Sequence, residues 1–289
     1  MEIGVGTIVY ELAGVPLKES VRKIAQHGVK YIDILSFGEY NPALLPTDEQ
    51  DKIAASLREL GMKASSIVTC ADGNLSSDDP AEVENAMEQL KLAGLLIKRL
   101  GGRQVLVGKG AGNIDFGLPR ERAWANSVRV LKEYCQWALK HDLLVTLELE
   151  PEGLHVCNGV QAMRDLIDEV NQPNLLANID IGHLNILRTS PDELALLKDK
   201  IIYVHISDND GLAHTNSVIG TGTTKVRWYI DTLLELGIDE VAARYDEVAV
   251  AGVEIGAPGE YIQDADIRVL KSVGNVLSTV PGLRKVTAN

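Results

Sequence analysis

The sequence predicts an α/β fold, a (β/α)₈ TIM barrel that occupies residues 1–289 as a single domain. Three observations point there. Short apolar runs alternate with longer amphipathic ones along the whole chain, which implies a parallel sheet. Eight β units can be counted in that alternation, and no Gly/Ser linker, charge block or low-complexity tract divides them. Aromatic residues make up only 4%, so Val, Ile, Leu and Ala carry the core, as suits interior strands packed between helices. An open doubly wound sheet is the rival. It lacks its usual support, because GVGTIVYELAG has no GxGxxG opening a helix.

The elements follow in order. EIGVGTI (Glu2 to Ile8) reads as strand one, and a helix runs from Leu17 to His27, where Gly28 is placed to stop it. YIDIL (Tyr31 to Leu35) is strand two. Thr47 and Gln50 form a candidate capping box for the next helix, which Gly61 ends. KASSIV (Lys63 to Val68) is strand three, and Pro80 is a good first-turn residue for the helix running to Leu100. QVLVG (Gln104 to Gly108), a helix over Arg120 to Lys140, and LLVTLELE (Leu143 to Glu150) come next. NLLANID (Asn174 to Asp180), IIYVHIS (Ile201 to Ser207) and VAVAGVEI (Val248 to Ile255) complete the strands. Helices at Val160 to Val170, Pro191 to Lys198 and Ala265 to Leu277 lie among them.

Charge excludes more than it names. With 41 acidic against 28 basic residues the net charge is -13, and no basic stripe offers duplex nucleic acid a landing site. No apolar run approaches the ~20 residues of a membrane span, and the N-terminus lacks a basic leader. Three cysteines (Cys70, Cys135, Cys157) without CxxC spacing point to free thiols in a reducing compartment. The expectation is a cytoplasmic protein with no nucleic-acid or membrane partner.

In a barrel, chemistry lies at the C-terminal ends of the strands. Strand five ends in Glu148 and Glu150, and strand six in Asp180 with His183 just beyond. Strand seven carries His205, followed by Asp208 and Asn209, and strand eight carries Glu254. Each has an ordinary structural reading as a solvated strand end, a cap or a core histidine. Together, at the ends of four consecutive strands, they need a common partner, because buried charge is costly. A divalent cation is the simplest one. Carboxylates with one imidazole suit Mn²⁺, Mg²⁺ or Co²⁺ better than Zn²⁺.

Elsewhere the signals are weaker. Lys109 ends strand four and Asp33 lies within strand two, so each is a candidate pocket residue or an ordinary structural one. Trp124 and Trp137 read as core or interface residues. Cys157 near His155 lacks the rest of a nucleophile arrangement. KGAGN (Lys109 to Asn113) is too short for a phosphate loop, and Gly220 and Gly222 in IGTGTT read as permitting a tight loop.

The motifs VTLELEPEG, NIDIGHL, VHISDNDG, the IGTG loop and GVEIG, in that order, resemble the sugar phosphate isomerase/epimerase superfamily of xylose-isomerase-like barrels. Ketose 3-epimerases belong to it. The resemblance implies Glu150, Asp180, His205 and Glu254 as metal ligands, with Mn²⁺ favoured. Glu148 is the alternative ligand on strand five, since period-two alternation puts it on the same side as Glu150. Glu150 and Glu254 are then also the catalytic pair, while His183, Lys109 and Asn209 are the expected substrate contacts. The substrate is a small sugar or keto-sugar, and the resemblance implies a homodimer or homotetramer. Two departures lie around the substrate: Asp210 and Gly211 stand where an arginine is usual, and GTGTTKVRW lacks the usual aspartate.

The activity expected from this is ketose 3-epimerisation by proton transfer through a metal-stabilised enediolate. Aldose–ketose isomerisation is its near neighbour. The main rival is a metal-dependent lyase acting on a keto-sugar, either a dehydratase or a C-glycoside deglycosidase. An apurinic-site endonuclease fits poorly with six histidines and the acidic charge. A non-catalytic sugar-binding barrel would hold metal weakly or not at all.

Overall fold

Alternating apolar runs become parallel strands because each can bury both faces, one inside a barrel and one under the helices. In the computed structural model, which describes residues 1–69, 72–151, 153–256 and 262–286, eight strands close on themselves in sequence order. They are β1 (Glu2–Gly6), β2 (Tyr31–Leu35), β3 (Lys63–Thr69), β4 (Gln104–Val107), β5 (Leu144–Leu147), β6 (Leu175–Asp180), β7 (Ile201–Ile206) and β8 (Val250–Val253). β1 pairs with β8, with Gly4 opposite Gly252, so no edge is left open. The predicted barrel is the observed fold.

Around it pack α1 (Ile8–Leu12), α2 (Leu17–Gln26), α3 (Thr47–Glu59), α4 (Pro80–Arg99) and α5 (Arg120–Lys140). α6 (Val160–Val170), α7 (Ile181–Leu187), α8 (Val226–Glu235), α9 (Ile238–Ala243) and α10 (Ile262–Thr279) complete the ring, with a 3₁₀ helix over Pro191–Leu197. Gly28 ends α2 with φ +70, the left-handed conformation expected there. At α3 the expected capping box is absent. Thr47 is already helical, Pro46 precedes it without a side-chain cap, and Gln50 Nε2 instead reaches back to the Leu45 carbonyl at 2.9 Å.

Three further departures bear on function. β5 is shorter than the apolar pattern suggests, ending at Leu147. α7 starts at the residue after Asp180, whose carboxylate caps it by accepting from the Gly182 and His183 amides. Two register shifts, between Ile32 and Asp33 on the β2–β3 pair and between Ala177 and Asn178 on the β6–β7 pair, re-aim the residues beyond them. Of the cysteines, Cys135 and Cys157 are buried free thiols, and burial pushes the Cys135 thiol up to about 12. Cys70 lies outside the described residues. No helix among the described residues is long and apolar enough to cross a membrane.

Where α1 and α2 meet α10, the Tyr10 hydroxyl lies 2.9 Å from both His27 Nε2 and Asp266 Oδ1, and Lys23 pairs with Asp266 at 2.8 Å. Burial of His27 is the main cause of a pKa below its ordinary 6.5. Below pH 6.5 the unfolded chain therefore binds more protons than the folded one at this residue. Stability contributed by neutral His27 is lost as pH falls through that window and is complete above it. The expected result is a melting temperature that declines on acidification from pH 7 to 5, with a shallower slope in His27→Gln. Parallel curves for the two proteins would contradict it.

Candidate metal centre

Barrel closure brings the ends of β5, β6, β7 and β8 to one place. Leu147 is the last ladder residue of β5, and Glu148 follows it directly, 5% exposed and pointing inward. Its Oε1 accepts from Asn178 Nδ2 at 2.6 Å and lies 2.8 Å from His205 Nδ1. Glu254 Oε2 approaches the same ring nitrogen at 3.1 Å from β8, while Asn216 Nδ2 donates to its Oε1 at 2.9 Å. Asp180 sits beside His205 across the β6–β7 pair. Ligand atoms of Glu148, Asp180 and His205 lie within 4.8 Å of one another.

Three carboxylates around one imidazole leave this region short of positive charge. Burial, with Asp180 and Glu148 adding to it, pushes Glu254 up to about 7 despite His205. For His205, burial opposes the charged ring, but Glu148, Glu254 and Asp33 overcome it and raise the pKa well above the ordinary value. Asp180 is also buried, and His183, His214 and His205 hold its carboxyl below the usual range. One oxygen of Asp180, Oδ1, accepts from Ser207 and two backbone amides. The other, Oδ2, is buried with no hydrogen-bond partner. A buried carboxylate oxygen without a hydrogen bond, 3.9 Å from His183 Nε2 and among two more carboxylates and an imidazole nitrogen, is what a divalent cation would complete. The oxygen-rich donor set fits such an ion.

The resemblance favoured Glu150 in this group and kept Glu148 as the alternative, and the structure puts the two carboxylates in different groups. Period-two alternation holds only while the ladder continues, and it stops at Leu147. The Glu150 amide then bonds to the Cys157 carbonyl at 3.0 Å rather than into the sheet ladder. Glu150 Oε2 lies 3.8 Å from His183 Nε2, and with His214 these residues form a second convergent group on the cavity wall. His183 Nδ1 contacts the Leu149 carbonyl at 2.7 Å, which aims Nε2 at His214. Burial opposes charge on His183, yet Asp180, Glu148 and Glu150 raise its pKa to about 9.

Above the carboxylates is a cavity of about 530 Å³. Lys109, Glu148, Glu150, His183, His214 and Glu254 form its polar side, and Ile8, Leu12, Leu35, Phe37 and Val68 its apolar side. Lys109 is held there by the KGAGN run. Lys109 and Ala111 have φ of 53° and 61°, a conformation that favours glycine and stores strain. The loop then zips onto the chain after β5 through Cys157 N to Gly110 O and Val156 N to Gly112 O. Cys157 is fully buried, and burial drives its thiol pKa upward, so it is no nucleophile. A separate groove of about 670 Å³ is lined by α8 and α10, and its acid Asp231 pairs with Arg227.

Asn209 is not brought to this cavity. Its Nδ2 donates to the Gly182 carbonyl at 3.0 Å and its Oδ1 accepts from Asn185 and the Gly211 amide, which fastens α7 to the chain after β7. Asp208 has a matching structural task. Its carboxylate accepts from the amides of Asn209, Gly220, Gly222 and Thr224 at 2.8–3.0 Å. The glycines of IGTGTT therefore wrap a buried side chain, and a Cβ at Gly222 would sit 2.3 Å from the Asn209 carbonyl. Asp33, left open by the sequence, is 3% exposed, and its Oδ2 lies 2.6 Å from His205 Nε2.

A family model described as xylose isomerase-like TIM barrel matches residues 21–272. The chain belongs to that family. Among curated relatives, the L-ribulose 3-epimerase of Mesorhizobium japonicum is 25% identical over 240 residues, covering 81% of this chain and 77% of that protein. The fructoselysine 3-epimerase of Shigella flexneri is 24% identical over 198 residues, 66% of this chain and 68% of its own. A solved L-ribulose 3-epimerase superposes with a TM-score of 0.79 at 20% identity, covering 97% of this chain and 95% of that one. Within the xylose isomerase-like family these likenesses agree with the barrel described above.

Proposed function

We propose that the protein is a divalent-cation-dependent ketose 3-epimerase, an isomerase acting on a small ketose or ketose derivative. The observation that carries this is the approach of Glu148 and Glu254, from β5 and β8, to the same nitrogen of His205 at the floor of a sugar-sized cavity. Glu148, Asp180, His205 and Glu254 would hold the cation; their donor set suits Mn²⁺, Mg²⁺ or Co²⁺, and the resemblance favours Mn²⁺. When bound, it would supply Lewis-acid stabilisation of the negative charge that develops on the substrate oxygens.

The side chains then divide the work. Epimerisation needs a proton removed on one face of the carbon and returned on the other, so two carboxylates must flank the substrate. Glu148 and Glu254 are placed for this, with Asn178 and Asn216 orienting one oxygen of each. Glu148 thus takes the catalytic role that the sequence gave to Glu150. His183 and Lys109 line the cavity and are assigned to substrate oxygens. Leu35, Phe37 and Val68 give the same cavity its apolar lining. The similarity to proteins named as 3-epimerases supports this reading over the lyase alternative. We place the enzyme in the cytoplasm as a homodimer or homotetramer, on the sequence grounds given above.

The test is incubation of the Mn²⁺-loaded protein with L-ribulose, D-tagatose or D-psicose in D₂O. One deuterium at C3 of an epimeric product is expected. Release of water from the sugar without an epimer would instead favour the lyase.

A further inference from the structure

We infer that Asp33 is the positioning carboxylate of the cation site, acting through His205. The inference rests on the cation reading of the preceding section. Asp33 lies in the middle of β2, and its side chain enters the barrel, where a carboxylate has few partners. The β2–β3 register shift falls at this residue, with Asp33 opposite Ser66 rather than Ser65. Such irregularities re-aim side chains. Here the result is a contact between residues 172 positions apart: Asp33 Oδ2 sits 2.6 Å from His205 Nε2.

The two ring nitrogens of His205 thus face different surroundings. Nδ1 faces Glu148, Glu254 and the Asn178 amide, at 2.8, 3.1 and 3.1 Å, and Nε2 faces Asp33 at 2.6 Å. A cation would take a lone pair, so a ring that offers Nδ1 to it would carry its one proton on Nε2. A buried N–H needs an acceptor, and Asp33 supplies a charged one. Tyr203, edge-on to the ring at 5.6 Å and tied to Ser65 by its hydroxyl, limits the ring's rotation. Without Asp33, the acceptors that remain close to the ring are Glu148 and Glu254, on the Nδ1 side. They would draw its proton to the atom the cation requires. Asp33 therefore selects the tautomer able to bind the cation, as carboxylates behind metal-binding histidines do.

The experiment measures Mn²⁺ affinity by titration of the free ion's EPR signal in the full-length wild type, Asp33→Ala and Asp33→Asn. It also records the imidazole N–H protons of the Mg²⁺-loaded proteins by ¹⁵N-edited NMR. Asp33→Ala is expected to weaken Mn²⁺ binding 10–100-fold. Asp33→Asn should fall between it and wild type, because its carbonyl still accepts from Nε2–H without the charge. A downfield, exchange-protected Nε2–H resonance of His205 should be present in wild type and lost in Asp33→Ala. Should that variant not fold, Asp33→Asn gives the same reading at smaller amplitude. Affinities within threefold of wild type, or a downfield proton that persists in Asp33→Ala, would overturn the assignment while leaving the cation site in place. A wild-type protein that holds no Mn²⁺ overturns the site itself, and this inference with it.

Discussion

Glu148→Gln is expected to abolish retention of a divalent cation and to lower epimerase activity by about 10²–10⁴-fold, the range for loss of a general acid or base. Glu150→Gln should keep the ion. Glu148 is the carboxylate that meets His205 at 2.8 Å and Asn178 at 2.6 Å inside the barrel, whereas Glu150 faces His183 on the cavity wall. The amide of glutamine is neutral and offers one acceptor oxygen where the carboxylate offers two, so a cation would lose charge and a ligand together. Glu150→Gln should change substrate binding instead, seen as a raised KM with kcat less affected. Metal analysis after dialysis, beside steady-state kinetics, checks both. The ligand set fails if Glu148→Gln keeps a full equivalent of ion and Glu150→Gln loses it.

Asp208→Ala should destabilise the protein by about 3–5 kcal/mol and cut activity although Asp208 does not line the cavity. Four backbone amides converge on this carboxylate, which is 1% exposed. Each buried amide left without an acceptor costs about 1–3 kcal/mol, and water entering from the exposed side at Gly220 and Gly222 offsets part of the total. The same segment carries His214, Thr215 and Asn216 to the cavity, and Asn216 holds Glu254. Asp208→Asn keeps one acceptor oxygen and should lose roughly half as much stability. Urea denaturation and limited proteolysis between Asp208 and Thr224 read the effect. Wild-type stability in Asp208→Ala would show that the loop is held by other contacts.

Much of the site was legible because it depends on rules that act locally. Asp180, His205 and Glu254 each lie at or just past the end of an apolar strand, and closure of a parallel barrel sends such residues to one end. Glu148 and Glu150 were not separable in the same way. LELE alternates as a strand would, and only the place where the ladder stops, together with the Glu150–Cys157 backbone bond, decides between them. Asn209 was an expected substrate contact on the family resemblance. Its amide is consumed by α7, a helix the apolar pattern had not revealed. Asp33 was visible as a charge inside a strand, but its partner lies 172 residues away.

From the residues alone came the order of strands, the closed parallel architecture and the end of the barrel where charge collects. These follow from periodicity and the cost of burying polar groups, which neighbours along the chain already express. Which carboxylate turns inward, which amide is spent on the backbone, and which acid stands behind the histidine were settled by register shifts and loop closures. Such features join residues distant in sequence, so no local pattern carries them.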